Sequence, residues 1–497
     1  MMESCKLIVL SDPDYNAVET GQCDCDCDCA CSVLEQNTAG NGIAWSPTIQ
    51  MQKNDAMAFL SLGDGHTLAY GPQHPSVVLN DESVKLLNFF SKPSLLMDVP
   101  AAWQEQWGVA TLQAAAVKLL AFGLLENKLP TENQTATDTT KLLTVWLHLT
   151  DSCNLRCSYC YLAHDPVKMS LDVGYQAIAS IISTAVQHGY PRIKLKYAGG
   201  ESLIAFDLIC KLHTKAQRLS RTHGLEVSEI VLSNGTLLIP DRLTRLRDMN
   251  IQLMVSLDGL PLFHDRQRKF RNGKGSGELV LKNIDRALQY GIRPNISITV
   301  TPVNVAGLPD LLDWVLDREL PFSLNFFREN ERSKSQQDLI GENEVIVDGM
   351  QRAYQVIENR LPRHMLLGGI LDRTNLVHAH QHPCGAGRDY LAIGPNGKVS
   401  YCQMDLDQSV GTISDGDLVE LVRRNGSIFN PAVDSKENCK LCNWRYWCAG
   451  GCPLTTKRIH GTALTSSTNC SIYSKLMPEA LRLEGMRLLK FGKNFVL

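Results

Sequence analysis

Between residues 142 and 327 the sequence alternates between short apolar runs and amphipathic stretches. "LLTVWLHLT", "IKLKYAGG", "EIVLSN", "IQLMVSLDG", "ISITVT" and "FSLNFF" read as strands, and residues 171–188, 203–222, 240–249, 277–290 and 306–316 as helices. Strands separated by helices lie parallel, because a crossover is needed to return the chain to the same end of a sheet. About six such units specify an α/β barrel or partial barrel with its helices outside. In that arrangement chemistry collects at the carboxyl ends of the strands. Ser170 is placed to cap the first helix, and Gly189 and Gly291 to end theirs.

The first strand runs directly into "DSCNLRCSYCYL", which sets Cys153, Cys157 and Cys160 in a C-x3-C-x2-C spacing. Thiolates this close in one loop suit zinc or an iron–sulfur cluster. Zinc wants a fourth ligand nearby, and the near candidates are His148, in the strand, and His164, after the loop. A four-iron cluster held by three cysteines leaves one iron without a protein ligand, and such an iron can chelate a small molecule.

Cysteine is the outlying residue type, with 17 in 497 residues. An odd count behind an N-terminus, "MMESCKLIVLSDPD", with too short an apolar core for a signal peptide argues against a disulfide framework. The thiols read as metal or cluster ligands in a reducing, cytoplasmic setting. At 44% hydrophobic and 20% charged the chain is of globular type, and a net charge of −3 gives no basic excess for nucleic acid. No apolar run reaches the length of a membrane span; "AAAVKLLAFGLL" is interrupted by Lys118 and Gly123.

The chain divides into seven expected parts. Residues 1–50 form an irregular segment containing "CDCDCDCAC", from Cys23 to Cys31. Residues 51–130 form a small α+β domain, with short strands around Gly71, Pro72 and Pro75 and a helix opened by "DESVKLLNFF", with Asp81 as its cap. Residues 131–140 are a linker, 141–330 the barrel, 331–383 a helical connector, 384–475 a loop-rich cysteine domain and 476–497 a terminal helix.

"CNLRCSYC", with an aromatic residue before its last cysteine, resembles the radical S-adenosylmethionine enzymes. The likeness continues along the barrel. "YAGGES" resembles the family's glycine-glycine-glutamate segment, with Ser202 where a proline is usual. "LSNGT" and "VSLDG" resemble its later strand ends, and "HDRQRKFRNGKGS" a loop of one large subgroup. The resemblance implies a partial (β/α)6 barrel holding a [4Fe-4S] cluster on Cys153, Cys157 and Cys160, with S-adenosylmethionine on its fourth iron. It further implies that Gly199, Gly200 and Glu201 meet the methionyl ammonium, that Tyr159 packs by the adenine, and that Ser233, Asn234 and Ser256 lie near ribose and substrate. Asp258 is implied as a catalytic candidate.

The cysteines at 384, 402, 439, 442, 448, 452 and 470 resemble the SPASM extension of the same family. That likeness implies two auxiliary [4Fe-4S] clusters. Cys439, Cys442, Cys448 and Cys470 would hold the outer one, and Cys384, Cys402 and Cys452 the inner one. The inner cluster then lacks an eighth ligand, which substrate, an oxygen donor such as Asp389 or a distant cysteine could supply. Two zinc sites suit the cysteine count equally well. Cys210, in an apolar helix, reads as a core residue. The Asp-Cys run reads as a tail without catalytic role, a soft-metal binder or a source of a further thiol.

Residues 57–128 resemble the winged-helix-like peptide-recognition domain of peptide-modifying enzymes. Together these likenesses imply a maturase that generates a 5′-deoxyadenosyl radical and abstracts hydrogen from a ribosomally made precursor peptide. The expected product is a cross-link, thioether or carbon–carbon, or another oxidative modification. An external electron donor such as flavodoxin or ferredoxin is implied, and neither nucleic acid nor membrane. Sulfatase maturases place an aspartate directly after the second cysteine of the extension; here Gln403 stands there and Asp405 is displaced by two residues. Asp405 remains the catalytic candidate of that region. Sulfatase maturation or another SPASM oxidation, a non-enzymatic iron–sulfur electron carrier and a zinc-structured peptide binder are the competing classes.

Overall fold

A computed structural model describes residues 6–12, 49–71, 74–127, 141–333, 336–377 and 379–494. Cys5, the Cys23–Cys31 run and the expected linker 131–140 lie outside the described residues.

Six parallel strands form the centre: β1 (Leu142–His148), β2 (Arg192–Ala198), β3 (Glu226–Ser233), β4 (Gln252–Ser256), β5 (Asn295–Val300) and β6 (Phe322–Phe326). They neighbour one another in chain order, with His148 opposite Ala198, Ser233 opposite Val255 and Val300 opposite Phe326. Their carboxyl ends therefore share one rim. Helices α1 (Leu171–His188), α2 (Phe206–His223), α3 (Pro240–Asp248), α4 (Gly277–Gln289) and α5 (Leu308–Asp317) connect them. Leu143, Val145 and Leu147 of β1 join a large core with Ile178, Ile181 and Ile182 of α1, which is what a strand with one face toward helices requires. Ser170 accepts from the Val173 amide at 3.2 Å, and Gly189 ends α1 in a left-handed conformation at φ 66°.

The same sheet continues beyond β1. β7 (Tyr390–Ile393) pairs parallel to β1, and β8 (Lys398–Ser400) and β9 (Gly411–Thr412) follow antiparallel, giving nine strands. From its sequence alone this region is expected to be loop-rich. "YLAIGPNGKVS" is short and turn-broken, and its partner strand lies far back in the chain, so no local period reveals the pairing. The consequence is functional: Tyr390 and Ala392 pack with Trp146 of β1, Ala198 of β2, Cys384 and Cys402 in a separate small core.

The N-terminal module has its own core around Leu79, Leu86, Leu87, Phe90, Leu112 and Leu119. Its sheet runs in the order Lys493–Asn494, Val9–Ser11, His74–Asn80, His66–Gly71, Ala58–Gly63, so both ends of the chain meet in it. Three helices, Asp81–Phe89, Ala101–Trp107 and Val109–Ala121, complete it. The cap of the first is Asn80, whose side chain accepts from the Ser83 amide at 3.0 Å, rather than Asp81, which is the first helical residue. Tyr70 stacks on Trp444, with ring centroids 6.3 Å apart, so this module touches the C-terminal cysteine segment.

Helix α6 (Asn343–Asn359) packs against α7 (Cys470–Phe491). α7 starts at Cys470, earlier than the expected 476, and carries Pro478 inside it. Pro478 falls within the first turns past Cys470, so a sequence reading that avoids interior prolines places the start too late. Near its far end Arg487, Glu484 and Asp12 form a buried ion triad, with Arg487 2.6 Å from Glu484.

Candidate functional site

The loop after β1 is fixed by backbone, not by its cysteines. The amide of Gly200 donates to the Thr150 carbonyl at 2.7 Å, and that of Glu201 to the Ser152 carbonyl at 3.0 Å. A Cβ on Gly200 would stand 2.6 Å from the Asp151 and Ser152 carbonyl oxygens, and one on Gly199 2.4 Å from that of Thr150. The paired glycines thus let the β2 end close against the cysteine loop. On its other side, Leu155–Cys157 pairs antiparallel with Arg268–Phe270, placing Cys157 opposite Arg268. His148, fully buried, holds Asp151 through Nε2 at 2.6 Å and so acts on the loop as a brace.

The Glu201 carboxylate is enclosed. It accepts from the Leu203 amide at 3.0 Å, the Ser233 hydroxyl at 2.9 Å and the Asn234 amide at 2.7 Å. Three of the acceptor positions of this carboxylate are thus taken up within the protein. The carboxylate ties β2 to β3, and what the segment offers a ligand is its backbone. Asn234 reaches the other way, its Nδ2 lying 3.8 Å from Cys153 Sγ and 2.9 Å from Asn154 Oδ1. Ser256, at the end of β4, is half-buried on the same rim.

Asp258 sits in a network of its own. It is fully buried, and Oδ2 accepts from Tyr159 Oη at 2.6 Å and Gln267 Nε2 at 3.0 Å, with Arg268 Nε 3.2 Å away. Oδ1 accepts from the Thr299 amide at 2.8 Å. So enclosed, it is a strut between β4, β5 and the cysteine loop rather than a group open to substrate. Tyr159, assigned by resemblance to the adenine, has its hydroxyl in this network and its ring under Arg268, 5.5 Å from the guanidinium carbon. The sequence reading missed Gln267 and Arg268. Their one signal was position within "HDRQRK", which carries no periodic pattern.

The ten cysteines fall into three neighbourhoods. Cys153, Cys157 and Cys160 act on one another; burial, then the neighbouring thiols, pushes Cys160 up to about 12, and burial pushes Cys153 to about 11. Cys384, Cys402 and Cys452 form a second neighbourhood, where burial raises Cys402 to about 12 and Cys452 and Cys384 add to it. Cys439, Cys442, Cys448 and Cys470 form the third, where burial raises Cys448 to about 12 with the other three reinforcing it. Cys452 differs: burial raises it, but Arg373 and Arg328 outweigh that and bring it below its ordinary value.

A single zinc ion draws its thiolates to within about 4 Å of one another. Among the described residues no group of three or more cysteine, histidine, aspartate or glutamate side chains is set to hold a single metal ion. A four-iron cube spreads its ligands further, one to each corner. Three neighbourhoods of three, three and four thiols, the first two largely enclosed, match the number of ligands such cubes take. Raised thiols release protons as they take up iron, so loading is favoured by higher pH.

Around the second neighbourhood lie Arg373, the Arg328–Asp372 pair and Trp146. Asn430 Nδ2 reaches Cys384 Sγ at 3.7 Å. Gln403 Oε1 accepts from Tyr390 Oη at 2.5 Å and lies 3.5 Å from Cys402 Sγ, while Asp405 is half-buried, raised by burial and 3.6 Å from Arg458. Asp389 lies over Gly385 with Arg388 and Arg423 as the charges acting on it; burial pushes it up to about 6.

A family model described as the Radical SAM superfamily matches residues 147–315, from the end of β1 through most of α5. The serine-type anaerobic sulfatase-maturating enzyme of Klebsiella aerogenes is 24% identical over 364 residues, 66% of this chain and 83% of that one. An uncharacterized protein of Archaeoglobus fulgidus is 22% identical, covering 68% and 81% of the two chains. The Fe-coproporphyrin III synthase of Methanosarcina barkeri is 25% identical, and the match spans about half (51%) of its length. Among solved structures, native anSMEcpe with bound AdoMet and Cp18Cys peptide superposes with a TM-score of 0.56 at 19% identity, over 69% of this chain and 99% of that one. That likeness shows a shared fold. No helix among the described residues is long and apolar enough to cross a membrane. The strand-end cysteine loop and the glycine clamp beside it lie within the segment that matches the Radical SAM superfamily, whose members work with a [4Fe-4S] cluster and S-adenosylmethionine.

Proposed function

We propose that the enzyme is a peptide maturase that oxidatively modifies a ribosomally made precursor, forming a thioether or carbon–carbon cross-link. The observation that carries this reading is the second thiol neighbourhood, packed through Trp146 and Ala198 against the inner faces of β1 and β2. An electron acceptor there would stand between the barrel lumen and the third neighbourhood. In that reading Cys153, Cys157 and Cys160 hold the S-adenosylmethionine cluster, Cys384, Cys402 and Cys452 an inner auxiliary cluster, and Cys439, Cys442, Cys448 and Cys470 an outer one.

When bound, the cluster and S-adenosylmethionine supply the one-electron cleavage that delivers a hydrogen-abstracting radical. The chain's own residues shape what surrounds it. The backbone at Gly199 and Gly200 lines the ligand side of the loop, and Asn234 orders Cys153. Ser233 works through Glu201, and Ser256 stands at the rim nearest the lumen. Tyr159 and Asp258 hold the cysteine loop to the barrel. Asp405, half-buried and beside Arg458, is the group placed to take a proton from substrate. Cys470 is exposed, so the outer centre is where a donor such as flavodoxin or ferredoxin would exchange electrons. The strand Ala58–Gly63 ends the N-terminal sheet and would take a leader peptide as an added strand. Domain limits of 51–130, 141–330 and 384–475 follow for these three roles, in a cytoplasmic protein.

Sulfatase maturation, the activity named for the Klebsiella relative, is the second reading, favoured by that likeness. Gln403 in place of an aspartate weighs against it. Anaerobic reconstitution tests the first. About twelve irons per chain, release of 5′-deoxyadenosine with dithionite, and loss of two hydrogens from a cysteine-containing precursor are expected. Iron without cleavage would leave an electron carrier. Conversion of a sulfatase peptide, but of no cross-linkable precursor, would establish the second reading instead.

A further inference from the structure

Arg373 occupies an unusual position. It is 8% exposed, and its backbone sits at φ 55°, a left-handed conformation that a residue with a Cβ adopts only at some cost. Its neighbour Asp372 faces Arg328, accepting from Nη2 at 2.7 and 2.9 Å, and so is already engaged. Nε and Nη1 of Arg373 are buried without a hydrogen-bond partner. A buried guanidinium with unmet N–H groups is unfavourable unless an anion belongs beside it. The groups its charge acts on are Cys384, Cys452, Asp372 and Cys402, which include all three thiols of the second neighbourhood.

Lys436 shows the contrast. It too is buried, and it acts on Cys439, Cys448, Cys384 and Cys452, yet its Nζ is satisfied by the Ala449 carbonyl at 2.9 Å. Only the arginine brings open donors to the three-thiol site among these two cations. A dicationic four-iron core on three thiolates carries one net negative charge. A guanidinium beside it offsets that charge, and offsets part of the further charge that reduction adds.

We propose that Arg373 is a positioning residue of the inner auxiliary centre: its free N–H groups face the sulfur ligands, offset the charge of a cluster that has three thiolates instead of four, and make that centre easier to reduce. This rests on the assignment of Cys384, Cys402 and Cys452 to a cluster. It adds that the missing fourth thiolate is answered by a fixed cation of the protein. Electrostatically, a nearby positive charge favours the reduced form of any centre, and a low-dielectric surrounding strengthens the effect.

The test is a redox titration of the full-length, anaerobically reconstituted enzyme followed by electron paramagnetic resonance, with iron content measured alongside. In Arg373→Met one auxiliary signal is expected to move to a more negative midpoint potential while the other two centres stay in place. The signal that moves should be the one removed by Cys384→Ala. Arg373→Lys, which keeps the charge but not the fork, is expected to recover part of the shift. Unchanged potentials in Arg373→Met at full iron content would overturn the proposal. Should Arg373→Met lose its inner iron, Arg373→Lys decides: retained iron supports the role, and equal loss overturns it. A wild-type protein with only about four irons and no auxiliary signal would instead remove the cluster assignment itself.

Discussion

The cysteine loop of the barrel and the cysteine sets of the C-terminal region present the same ligand atoms on opposite kinds of support. Cys153, Cys157 and Cys160 come from one short loop. That loop is stapled to β2 by the Gly200 and Glu201 amides and to Arg268–Phe270 by strand pairing. The C-terminal ligands are drawn from residues 384 to 470, and short turns carry most of them, such as the 3-10 turn Gln403–Asp405 and the single-turn helix Arg445–Cys448. In the first region the fold makes the site. In the second, the backbone bonds at the ligands are mostly short-range turn bonds, such as Cys442 N to Cys439 O and Gly451 N to Cys448 O, and bound iron would add more to the local structure. A catalytic centre that must grip a nucleotide belongs on the rigid support.

The sharpest way to break this comparison is to remove one thiol from each region. Cys157→Ala is expected to abolish 5′-deoxyadenosine release while about eight of about twelve irons remain. Cys439→Ala should lose about four irons, keep cleavage of S-adenosylmethionine and lose cross-linked product. Retained cleavage in the first variant, or its loss in the second, would mean that the two regions do not divide the work this way.

Removing all iron sharpens it further. After chelation under anaerobic conditions, limited proteolysis is expected to cut between residues 384 and 470 well before it cuts between 142 and 327. Pairing of β7 with β1 should leave Tyr390–Ile393 as the most protected stretch of the C-terminal region. Equal protection of both regions in the iron-free chain would show that the C-terminal sets are preformed after all.

The same contrast governs what could be read from sequence. The barrel elements announce themselves through local period and through caps: α1 runs from Leu171 to His188, between a Ser170 cap and a left-handed Gly189, because those signals are adjacent to the helix they bound. The start of α7 was misplaced because Pro478 masks a helical turn that packing enforces. β7 was missed because its partner is β1. The partners of the Glu201 carboxylate, Ser233 and Asn234, lie one βα unit further on, out of reach of any local pattern. Arg373 could not be found at all. "LDRT" looks like any polar turn, and only the fold shows that its arginine is enclosed beside three thiols.

The next prediction concerns how the weaker region is anchored. α7 begins with Cys470 and is held near its other end by Arg487, which bonds Glu484 and Asp12 inside the protein. Arg487→Met leaves two buried carboxylates without their cation, a loss of about 3–5 kcal/mol. The variant should melt earlier and lose outer-cluster iron before inner-cluster iron, because α7 carries an outer ligand and not an inner one. A substitution of Asp12 and Glu484 to asparagine and glutamine in the Arg487→Met background should restore much of the stability. Failure to do so would assign the effect to lost packing of the arginine stem rather than to charge.

The smallest expected effect separates a strut from a catalytic group. Asp258 gathers Tyr159, Gln267, Arg268 and the Thr299 amide, all on the side of the cysteine loop facing β4 and β5. Asp258→Asn keeps the shape but converts charge-assisted bonds to neutral ones, a change of about 1–2 kcal/mol. As a strut, Asp258 acts through the position of the loop, so the variant should slow S-adenosylmethionine cleavage and product formation by the same modest factor, up to about tenfold. A group that takes a proton from substrate would behave otherwise: cleavage would continue at the wild-type rate while product disappeared. Asp405→Asn is expected to give that second pattern, since Asp405 is half-buried beside Arg458, three residues past Cys402 and away from the cysteine loop of the barrel. Measuring 5′-deoxyadenosine and modified peptide in the same reaction, for both variants, separates the two roles; identical ratios in the two would show that neither aspartate handles the substrate proton.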